Sequence, residues 1–307
     1  MTTSETRLLA RINEHGWQGR VVPIEHLADL EDAIRSRHES GLLDEVLYQE
    51  QFRQFSFDRP ADLPVARSIV VVAVPVPQMR IFFHWHGARL PVVVPPTYAS
   101  YTPRTMRVQD ILGDWLGQEG YRMARPSLPL KTLAVRGGLA EYGRNNITYA
   151  RGLGSFLQLV AAFSDLPCDG DPWREPAALD RCASCVACLL QCPTGAITAD
   201  RFLLHAERCL TYHNEGAAEF AAWIDPSWHH CLIGCMRCQT TCPENKAVAR
   251  WFDDRVEFSE EETGSFARRV PLGELSAETA GKLRSLELNE DYQSLCRNLS
   301  MLLAQAA

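Results

Sequence analysis

The apolar positions of three segments recur with helical spacing. Leu8, Leu9 and Ile12 form one face that stops at Gly16. Leu27, Leu30 and Ile34 form a second face that stops before Gly41, and Val108, Ile111, Leu112, Trp115 and Leu116 form a third that stops at Gly120. Such spacing, closed by glycine, is typical of amphipathic helices. The pattern also predicts a helix in the stretch LKTLAVRGGLAEYGRNN, residues 130–146.

Other apolar runs lack this spacing and indicate strands. SIVVVAVPV, residues 68–76, is a continuous β-branched run that prolines at 75 and 77 end. GARLPVVVPP, residues 87–96, resembles a strand that enters a proline-stiffened loop. In GSFLQLVAAFSDLP, residues 154–167, the length and the flanking glycine favour a strand over a helix. The first half of the chain is therefore predicted to be a mixed α and β unit.

The composition changes at SDLPCDGDPWREPAALDR, residues 164–181, which is rich in Asp, Pro and Gly. We place a domain boundary here. Near the C-terminus, SEEETG (residues 259–264) is predicted to be a solvated loop. The last segment is predicted to be an amphipathic helix with Asn289 as its cap and with Tyr292, Leu295, Cys296, Leu299 and Leu302 on its apolar face.

The composition of the chain limits the classes of protein to which it can belong. The chain has 307 residues, 46% of them apolar, which is enough for one large or two ordinary cores. No leader-like segment and no apolar run near the roughly 20 residues of a membrane span is visible, so we expect a cytoplasmic protein without a membrane partner. Eleven cysteines in such a protein indicate metal ligation rather than disulfides. The net charge of −7 argues against a protein that binds nucleic acid mainly by contacts to the phosphate backbone of the nucleic acid.

The cysteines fall into two runs of known type. The first run, Cys182, Cys185, Cys188 and Cys192 followed by Pro193, has the bacterial ferredoxin spacing C-x2-C-x2-C-x3-C-P, in which the fourth thiolate ligates the other cluster. Cys235, Cys238 and Cys242 followed by Pro243 repeat it as C-x2-C-x3-C-P. Structural zinc sites also use Cys-x2-Cys pairs, but repeated triplets closed by Cys-Pro fit zinc poorly. We therefore predict two 4Fe-4S clusters.

Two cubanes need eight thiolates, and nine candidate cysteines are present. Cys182, Cys185, Cys188 and Cys242 account for the first cluster. Cys192, Cys235 and Cys238 begin the second, and its last ligand is either Cys231, which continuity in sequence favours, or Cys209. Cys168 and Cys296 lie outside both runs and are expected to be small core residues. His229 and His230 are expected to be solvated or to support the cluster ligands indirectly.

The segment before the clusters, GGLAEYGRNNITYARGLGSFLQLVAAFSDLP, resembles the corresponding part of epoxyqueuosine reductases and, more distantly, of reductive dehalogenases. Those families share a Gly-Leu-Gly helix end, a Gly-Lys or Gly-Arg step, a Gly-Ser loop closure and a strand ending in Thr-Asp-Leu-Pro. The matching residues are Gly138, Leu139, Gly143, Arg144, Gly154, Ser155, Ser164, Asp165, Leu166 and Pro167. The resemblance covers about residues 65–245.

This resemblance implies an α+β fold: a nitroreductase-like corrinoid-binding domain, a ferredoxin-like double 4Fe-4S domain and a short helical tail, here residues 1–167, 168–250 and 251–307. It implies cobalamin, bound base-off, as a second cofactor that the clusters reduce. In epoxyqueuosine reductases the second cluster takes a ligand from an Arg-Arg-Cys-Ile-Ser-Tyr-like stretch, and ERCLTYHNE occupies that place. The resemblance therefore favours Cys209 over Cys231.

Two departures bear on the substrate. The catalytic Asp of the queuosine enzymes has no counterpart in RPSLPLKTL, where Arg125, Pro126 and Ser127 stand instead. The chain is also acidic, and we expect it to lack the basic or helical-repeat tail that helps those enzymes to hold tRNA. We therefore expect a small-molecule substrate rather than tRNA, and an external low-potential electron donor such as ferredoxin or flavodoxin.

The loop from Tyr142 to Ser155 is the expected floor of the corrinoid pocket. Its predicted cofactor-binding residues, together with one from the proline-rich loop, are Tyr98, Arg144, Asn145, Asn146, Gly152, Gly154 and Ser155. The candidate proton donors are Tyr142, Tyr149 and Glu141. The predicted function is a cobalamin-dependent iron-sulfur oxidoreductase. The alternatives are a corrinoid-handling protein without an organic substrate and a corrinoid-free electron carrier.

Overall fold

The computed structural model describes residues 2–288 and 292–306, and the chain divides into two compact units. The first is drawn from Met1–Pro75 and Thr102–Val186, and the second from Val76–Tyr101 and Ala187–Ala307. Each unit therefore uses two separate stretches of chain. The continuous segments 1–167, 168–250 and 251–307 remain predictions of domain organisation.

Helices and strands follow one another along the chain without a fixed repeat. The α-helices are α1 Ser4–Glu14, α2 Leu27–Glu39, α3 Glu45–Leu47, α4 Tyr101–Gln118, α5 Leu130–Arg136, α6 Ala187–Gln191, α7 Leu210–Glu215, α8 Arg237–Thr240, α9 Glu260–Ala267, α10 Ala277–Leu286 and α11 Tyr292–Ala306. The strands are β1 Gln18–Pro23, β2 Ser68–Pro75, β3 Gln78–Trp85, β4 Ala88–Val94, β5 Met123–Ala124, β6 Glu141–Tyr142, β7 Thr148–Tyr149, β8 Leu157–Ser164 and β9 Phe252–Phe258. The helices and strands expected at α1, α2, α4, α11, β2, β4 and β8 are confirmed.

The first unit is built on an antiparallel sheet of order β1-β2-β8-β5. Successive side chains of β2 point to opposite faces, as the period of a strand requires. Ile69, Val71 and Ala73 enter one apolar core with α2 and α5, whereas Val70 and Val72 enter another with α1 and α4. The sheet is therefore covered on both faces, which explains why β2 and β8 are almost wholly apolar.

The segment after α5 departs from the helix predicted over 130–146. The helix ends at Arg136, where Gly138 has a positive φ of 70°, a conformation that glycine adopts without strain. The chain then forms the short hairpin of β6 and β7, whose residues pair as Glu141 with Tyr149 and Tyr142 with Thr148. The prediction was wrong beyond Arg136 because apolar spacing alone does not register the stop at the paired glycines.

The second unit contains a three-stranded sheet of order β4-β3-β9, in which β3 and β9 run parallel. Its apolar core joins β3 and β4 to α9, α10 and α11. The solvated loop expected at residues 259–264 is wrong, because α9 begins there. Ser259 caps it by accepting the Glu262 amide, and the Glu262 carboxylate accepts the Ser259 amide.

α11 begins with Tyr292 at the edge of the described residues, and the expected cap Asn289 lies outside them. Leu295, Cys296 and Leu299 are buried as predicted, and Leu303 is buried more deeply than Leu302. Across residues 2–288 and 292–306, every helix is too short or too polar to cross a bilayer.

Candidate iron-sulfur and cofactor sites

The two cysteine runs have the same local construction. In the second unit, α6 carries Cys188 and ends just before Cys192 and Pro193. α8 carries Cys238 and is followed by Cys242 and Pro243, and the two short helices pack against each other. The last two cysteines of each run are thus separated by about one helical turn. Cys182 and Cys185 of the first run belong to the first unit.

Three thiols of the second unit lie close enough to influence one another electrostatically. Burial, with smaller contributions from negative charge at Cys209 and Cys192, raises the pKa of Cys235 to about 12, and the Arg237 amide and guanidinium oppose the rise. The pKa of Cys209 is raised chiefly by burial and also by Cys192. A thiol that ligates metal must be deprotonated, so burial of this kind would make a thiolate at these positions depend on a bound metal.

Cys231 is the most deeply buried member of this neighbourhood, with 1% of its surface exposed. Burial raises the pKa of its thiol far above the usual range, and the nearby Cys235 adds to the effect. The adjacent Leu232 amide donates to the Val93 carbonyl at 2.8 Å, which fixes this segment beside β4. Among residues 2–288 and 292–306, no three His, Cys, Asp or Glu side chains form a group that could hold a single metal ion.

The adjacent histidines have different environments. The His230 Nδ1 lies 3.2 Å from the Trp228 carbonyl oxygen, and its Nε2 accepts the Met236 amide at 3.1 Å, so this ring supports the turn between Cys235 and Cys238. His229 is 1% exposed, and neither ring nitrogen finds a hydrogen-bond partner in the described part of the chain. Burial lowers its pKa to about 4. The expected indirect support suits His230, and the expected solvation is wrong for His229.

The loop from Tyr142 to Ser155 is attached to the start of the first cysteine run. The Arg144 amide donates to the Cys182 sulfur at 3.4 Å, and the Arg144 guanidinium donates to the Cys182 carbonyl at 2.5 Å. Backbone bonds between Tyr142 and the segment 177–179 reinforce the attachment. The Arg144 Nε is buried and has no hydrogen-bond partner among the described residues. A buried donor left in this way is costly unless a ligand satisfies it.

Within the loop, Asn145 is buried and its amide donates to the Tyr149 hydroxyl at 2.9 Å. A Cβ on Gly143 would stand 2.4 Å from the Asn145 Oδ1 and 2.6 Å from the Tyr149 ring, so only glycine fits there. Asn146 adopts a left-handed conformation with φ of 60°. The loop is therefore tightly ordered around Asn145 and Tyr149.

The glycines at the far end of the loop differ from Gly143. Gly152 and Gly154 have φ values of 80° and 61°, and apart from Gly152 and its two chain neighbours no described residue has an atom within 4 Å of a Cβ built at Gly152. Ser155 is buried. The backbone at Gly152 is therefore open to a close approach from outside the loop.

The other candidate residues are placed as follows. Tyr142 is buried in the first unit's core with its hydroxyl 3.3 Å from Thr132, and burial raises its pKa. Glu141 is half-buried on β6. Tyr98 lies in the second unit, where its hydroxyl donates to Glu215 and where a Cβ on Gly234 would stand 2.7 Å from the same hydroxyl. The cofactor-binding and catalytic roles of these residues stay predictions.

Sequence reasoning did not find a buried polar group on α11. Arg297 and Asn298 are both buried although they stand within the apolar stretch of that helix. The amphipathic pattern identifies the helix but cannot tell a buried cation from one that reaches solvent, because arginine is usually exposed.

Comparison with known proteins agrees with these features. Residues 181–245 match a family described as a 4Fe-4S double cluster binding domain. The chain is 32% identical over 139 residues to an epoxyqueuosine reductase of Burkholderia pseudomallei. Over that stretch the chain is similar to epoxyqueuosine reductases. That match spans 43% of this chain and 34% of the relative, so the curated relative extends well beyond the stretch the two share.

Solved epoxyqueuosine reductases have the same fold. The enzyme of Streptococcus thermophilus matches with a TM-score of 0.69 and 18% identity, covering 98% of this chain and 80% of that one. A second epoxyqueuosine reductase, solved with an epoxyqueuosine-modified tRNA-Tyr stem loop, matches with a TM-score of 0.68 and 20% identity, covering 97% and 80%. The mixed helix and strand architecture with a double-cluster domain is thus confirmed, and the identities are too low to carry more than the fold.

Proposed function

We propose that this chain is a cobalamin-dependent iron-sulfur reductase, in which two 4Fe-4S clusters supply electrons to a base-off corrinoid that acts on a small molecule. The observation that carries the proposal is the pair of hydrogen bonds from Arg144 to Cys182, since it joins the predicted corrinoid loop to a predicted cluster ligand. When bound, cobalamin would supply the reducible cobalt, and the protein supplies binding and protons.

The cluster ligands follow from spacing and from the neighbourhood of three thiols. We assign Cys182, Cys185, Cys188 and Cys242 to the first cluster. We assign Cys192, Cys209, Cys235 and Cys238 to the second. Cys209 lies near enough to both Cys192 and Cys235 to interact with them electrostatically, and this supports Cys209 as the fourth ligand. Cys231, which also interacts with Cys235, is then the proposed free thiol. Iron-sulfur clusters with such thiolate ligands reach low reduction potentials, about −400 mV in ferredoxin-like surroundings.

The residues of the loop fit a corrinoid. The Arg144 Nε is a buried donor without a partner in the described chain, and corrin side-chain amides offer the carbonyl oxygen that it lacks. The open side of Gly152 allows a large ring to approach the backbone. Asn145 contributes by ordering the loop, and Asn146, Gly154 and Ser155 complete the proposed floor. Tyr98 remains a proposed cofactor contact from the proline-rich loop.

Tyr149 is the proton donor that the loop geometry supports best. Its hydroxyl accepts the Asn145 amide, and this bond orients the phenol. Tyr142 belongs to the apolar core and pairs with Thr132, and Glu141 is the third candidate. If Tyr149→Phe and Tyr142→Phe both leave turnover unchanged, the proton comes from elsewhere.

A small-molecule substrate, rather than tRNA, is supported by the segment that corresponds to the catalytic Asp region of epoxyqueuosine reductases. The Arg125 guanidinium lies 3.2 Å from Asp110, and the Ser127 hydroxyl donates to the Gln54 carbonyl at 3.0 Å. The stretch 125–129 contains no carboxylate. An external ferredoxin or flavodoxin is the proposed electron donor.

Anaerobic purification with added cobalamin tests the proposal. We expect the protein to retain corrinoid with a base-off spectrum, and Arg144→Met to weaken retention about tenfold, because a hydrogen bond from a charged donor is lost. Arg151→Met, an exposed arginine of the same loop, is the matched control and should bind normally. Iron analysis of both variants shows whether the clusters are intact.

The outcomes separate the three functions. Failure to bind corrinoid with both clusters present overturns the proposal and favours the electron carrier. Corrinoid that is bound and reduced without turnover of any organic substrate favours the corrinoid-handling protein.

A further inference from the structure

The polar face of α11 reaches the two chain segments that carry ligands of the second cluster. Cys209 stands at the N-cap of α7, so the position of that short helix decides where the thiol lies. The segment 231–234 leads directly into Cys235. Side chains of Ser294, Arg297 and Asn298 hydrogen-bond to carbonyl groups in both segments.

At the first segment, α11 caps the C-terminal end of α7. The Arg297 guanidinium donates to the His213 carbonyl at 2.8 Å and also to the Ala218 carbonyl. The Asn298 amide donates to the Asn214 carbonyl at 2.9 Å, and the Ser294 hydroxyl lies 3.1 Å from the carbonyl oxygens of both Glu215 and Gly216. The last carbonyls of a helix have no partner within it, so these bonds satisfy groups that a six-residue helix cannot satisfy alone.

At the second segment, the same amide of Asn298 donates to the Leu232 carbonyl at 2.9 Å. The Asn214 amide of α7 donates to the Gly234 carbonyl at 2.8 Å, which is the residue before Cys235. Asn298 therefore joins the end of α7 to the approach to Cys235 through a single side chain. Asn214 and Asn298 are both fully buried.

Arg297 fixes this arrangement from behind. It is 2% exposed, its Nε donates to the Asn298 Oδ1 at 3.2 Å, and its guanidinium stacks 3.8 Å from the centre of the Phe220 ring. A buried cation is stable only when its donors are used, and here they orient Asn298 and bind carbonyl groups. The cation also stands at the negative end of the α7 dipole.

We propose that Ser294, Arg297 and Asn298 are positioning residues for the second 4Fe-4S cluster, and that they set the spacing of Cys209 and Cys235 before the cluster is assembled. This rests on the proposed assignment of Cys209 as a ligand. The tail of the chain is then part of the electron-transfer site and not an accessory segment. The three residues act through the backbone, by holding the segments that carry Cys209 and Cys235.

The test measures iron content, and the signals of the two reduced clusters by electron paramagnetic resonance, in the full-length chain. Asn298→Leu keeps the side-chain size but removes both donors, and we expect it to lose about half of its iron with the signal of one cluster retained. Cys209→Ala should give the same result. Ser300→Ala is the control for Ser294→Ala, because the Ser300 hydroxyl donates to the Cys296 carbonyl within α11 itself, and this variant should be unaffected.

Milder variants keep the test decisive if Asn298→Leu does not fold. For Ser294→Ala and Arg297→Lys we expect the second cluster to lose iron to a chelator about tenfold faster, as one lost hydrogen bond would give, and the first cluster to be unchanged. Equal loss from both clusters, or no change in either, overturns the inference. Full iron in Cys209→Ala would instead show that the ligand assignment is wrong.

Discussion

The sheet of the first unit and the last helix of the second unit have interiors of opposite character. Along β2, every residue from Ser68 to Val74 is buried, and all but Ser68 are apolar. Along α11, the buried positions include Ser294, Arg297 and Asn298 beside Leu295 and Leu299. The sheet is stabilised mainly by area removed from water, whereas the helix also depends on a network of directed hydrogen bonds.

The two interiors differ in how precisely they can fix the positions of backbone segments. Apolar burial is tolerant of detail, because many side chains of the right size satisfy it. A hydrogen-bond network has only a few satisfied arrangements, and it therefore fixes the backbone segments that it joins. In this protein the network joins the segments that carry Cys209 and Cys235, both proposed as cluster ligands, whereas the apolar sheet shares its core with Tyr142 and Ala150 of the proposed cofactor loop.

The largest effect is expected from truncation in the sheet. Ile69→Ala should lower the free energy of unfolding by about 3 kcal/mol, because it removes buried apolar area and leaves a cavity between β2 and its helices. Val65→Ala, at a residue 52% exposed in the same unit, should change it little. Denaturant unfolding of the iron-free proteins measures both. Similar values for the two variants would show that the sheet is not the apolar core described here.

A smaller loss is expected from the network. Asn298→Leu should lower the free energy of unfolding by about 2 kcal/mol, since buried carbonyl groups of Asn214 and Leu232 lose their donor. Ser300→Ala provides the baseline on the same helix. If Asn298→Leu is neutral or stabilising in the iron-free protein, the network contributes no net stability. The two interiors would then differ only in how closely they fix the backbone segments that they join.

The smallest effect is expected at the start of α9. Burial opposes ionisation of Glu262, but hydrogen bonds from Lys282, the Ser259 amide and Thr279 lower its pKa below the usual value. Glu262→Gln should cost about 1 kcal/mol at neutral pH. Because the folded pKa is lowered, this stabilisation is present above the ordinary carboxylate pKa of 4.5 and is lost as the pH falls through the folded value.

Unfolding midpoints at neutral pH and below pH 4.5 test this, with exposed Glu261→Gln as the control. The difference between the two variants should shrink in acid. A difference that grows in acid would contradict the assigned direction of the pKa.

Much of the fold could be predicted from the chain. Elements that bury one regular set of apolar side chains can be recognised from their hydrophobic periodicity. These are the strands β2 and β8 and the helices α1, α2, α4 and α11. β3 and β9 were not predicted, since Arg80, Asp254 and Glu257 interrupt the pattern with ion pairs at the sheet surface. The start of α9 could have been predicted, because Ser259 and Glu262 have the spacing of a capping box. The run of three glutamates favoured a solvated loop instead.

By itself the sequence determined the two cysteine runs, the cluster type that they predict and the apolar sheet, because ligand spacing and residue periodicity are local properties. Only the tertiary structure placed Cys192, Cys209 and Cys235 together, left the Arg144 Nε buried without a partner in the described residues, and joined Asn298 to carbonyl groups far away in the chain. These contacts depend on long-range packing, in which residues distant in sequence decide what each buried polar group can reach.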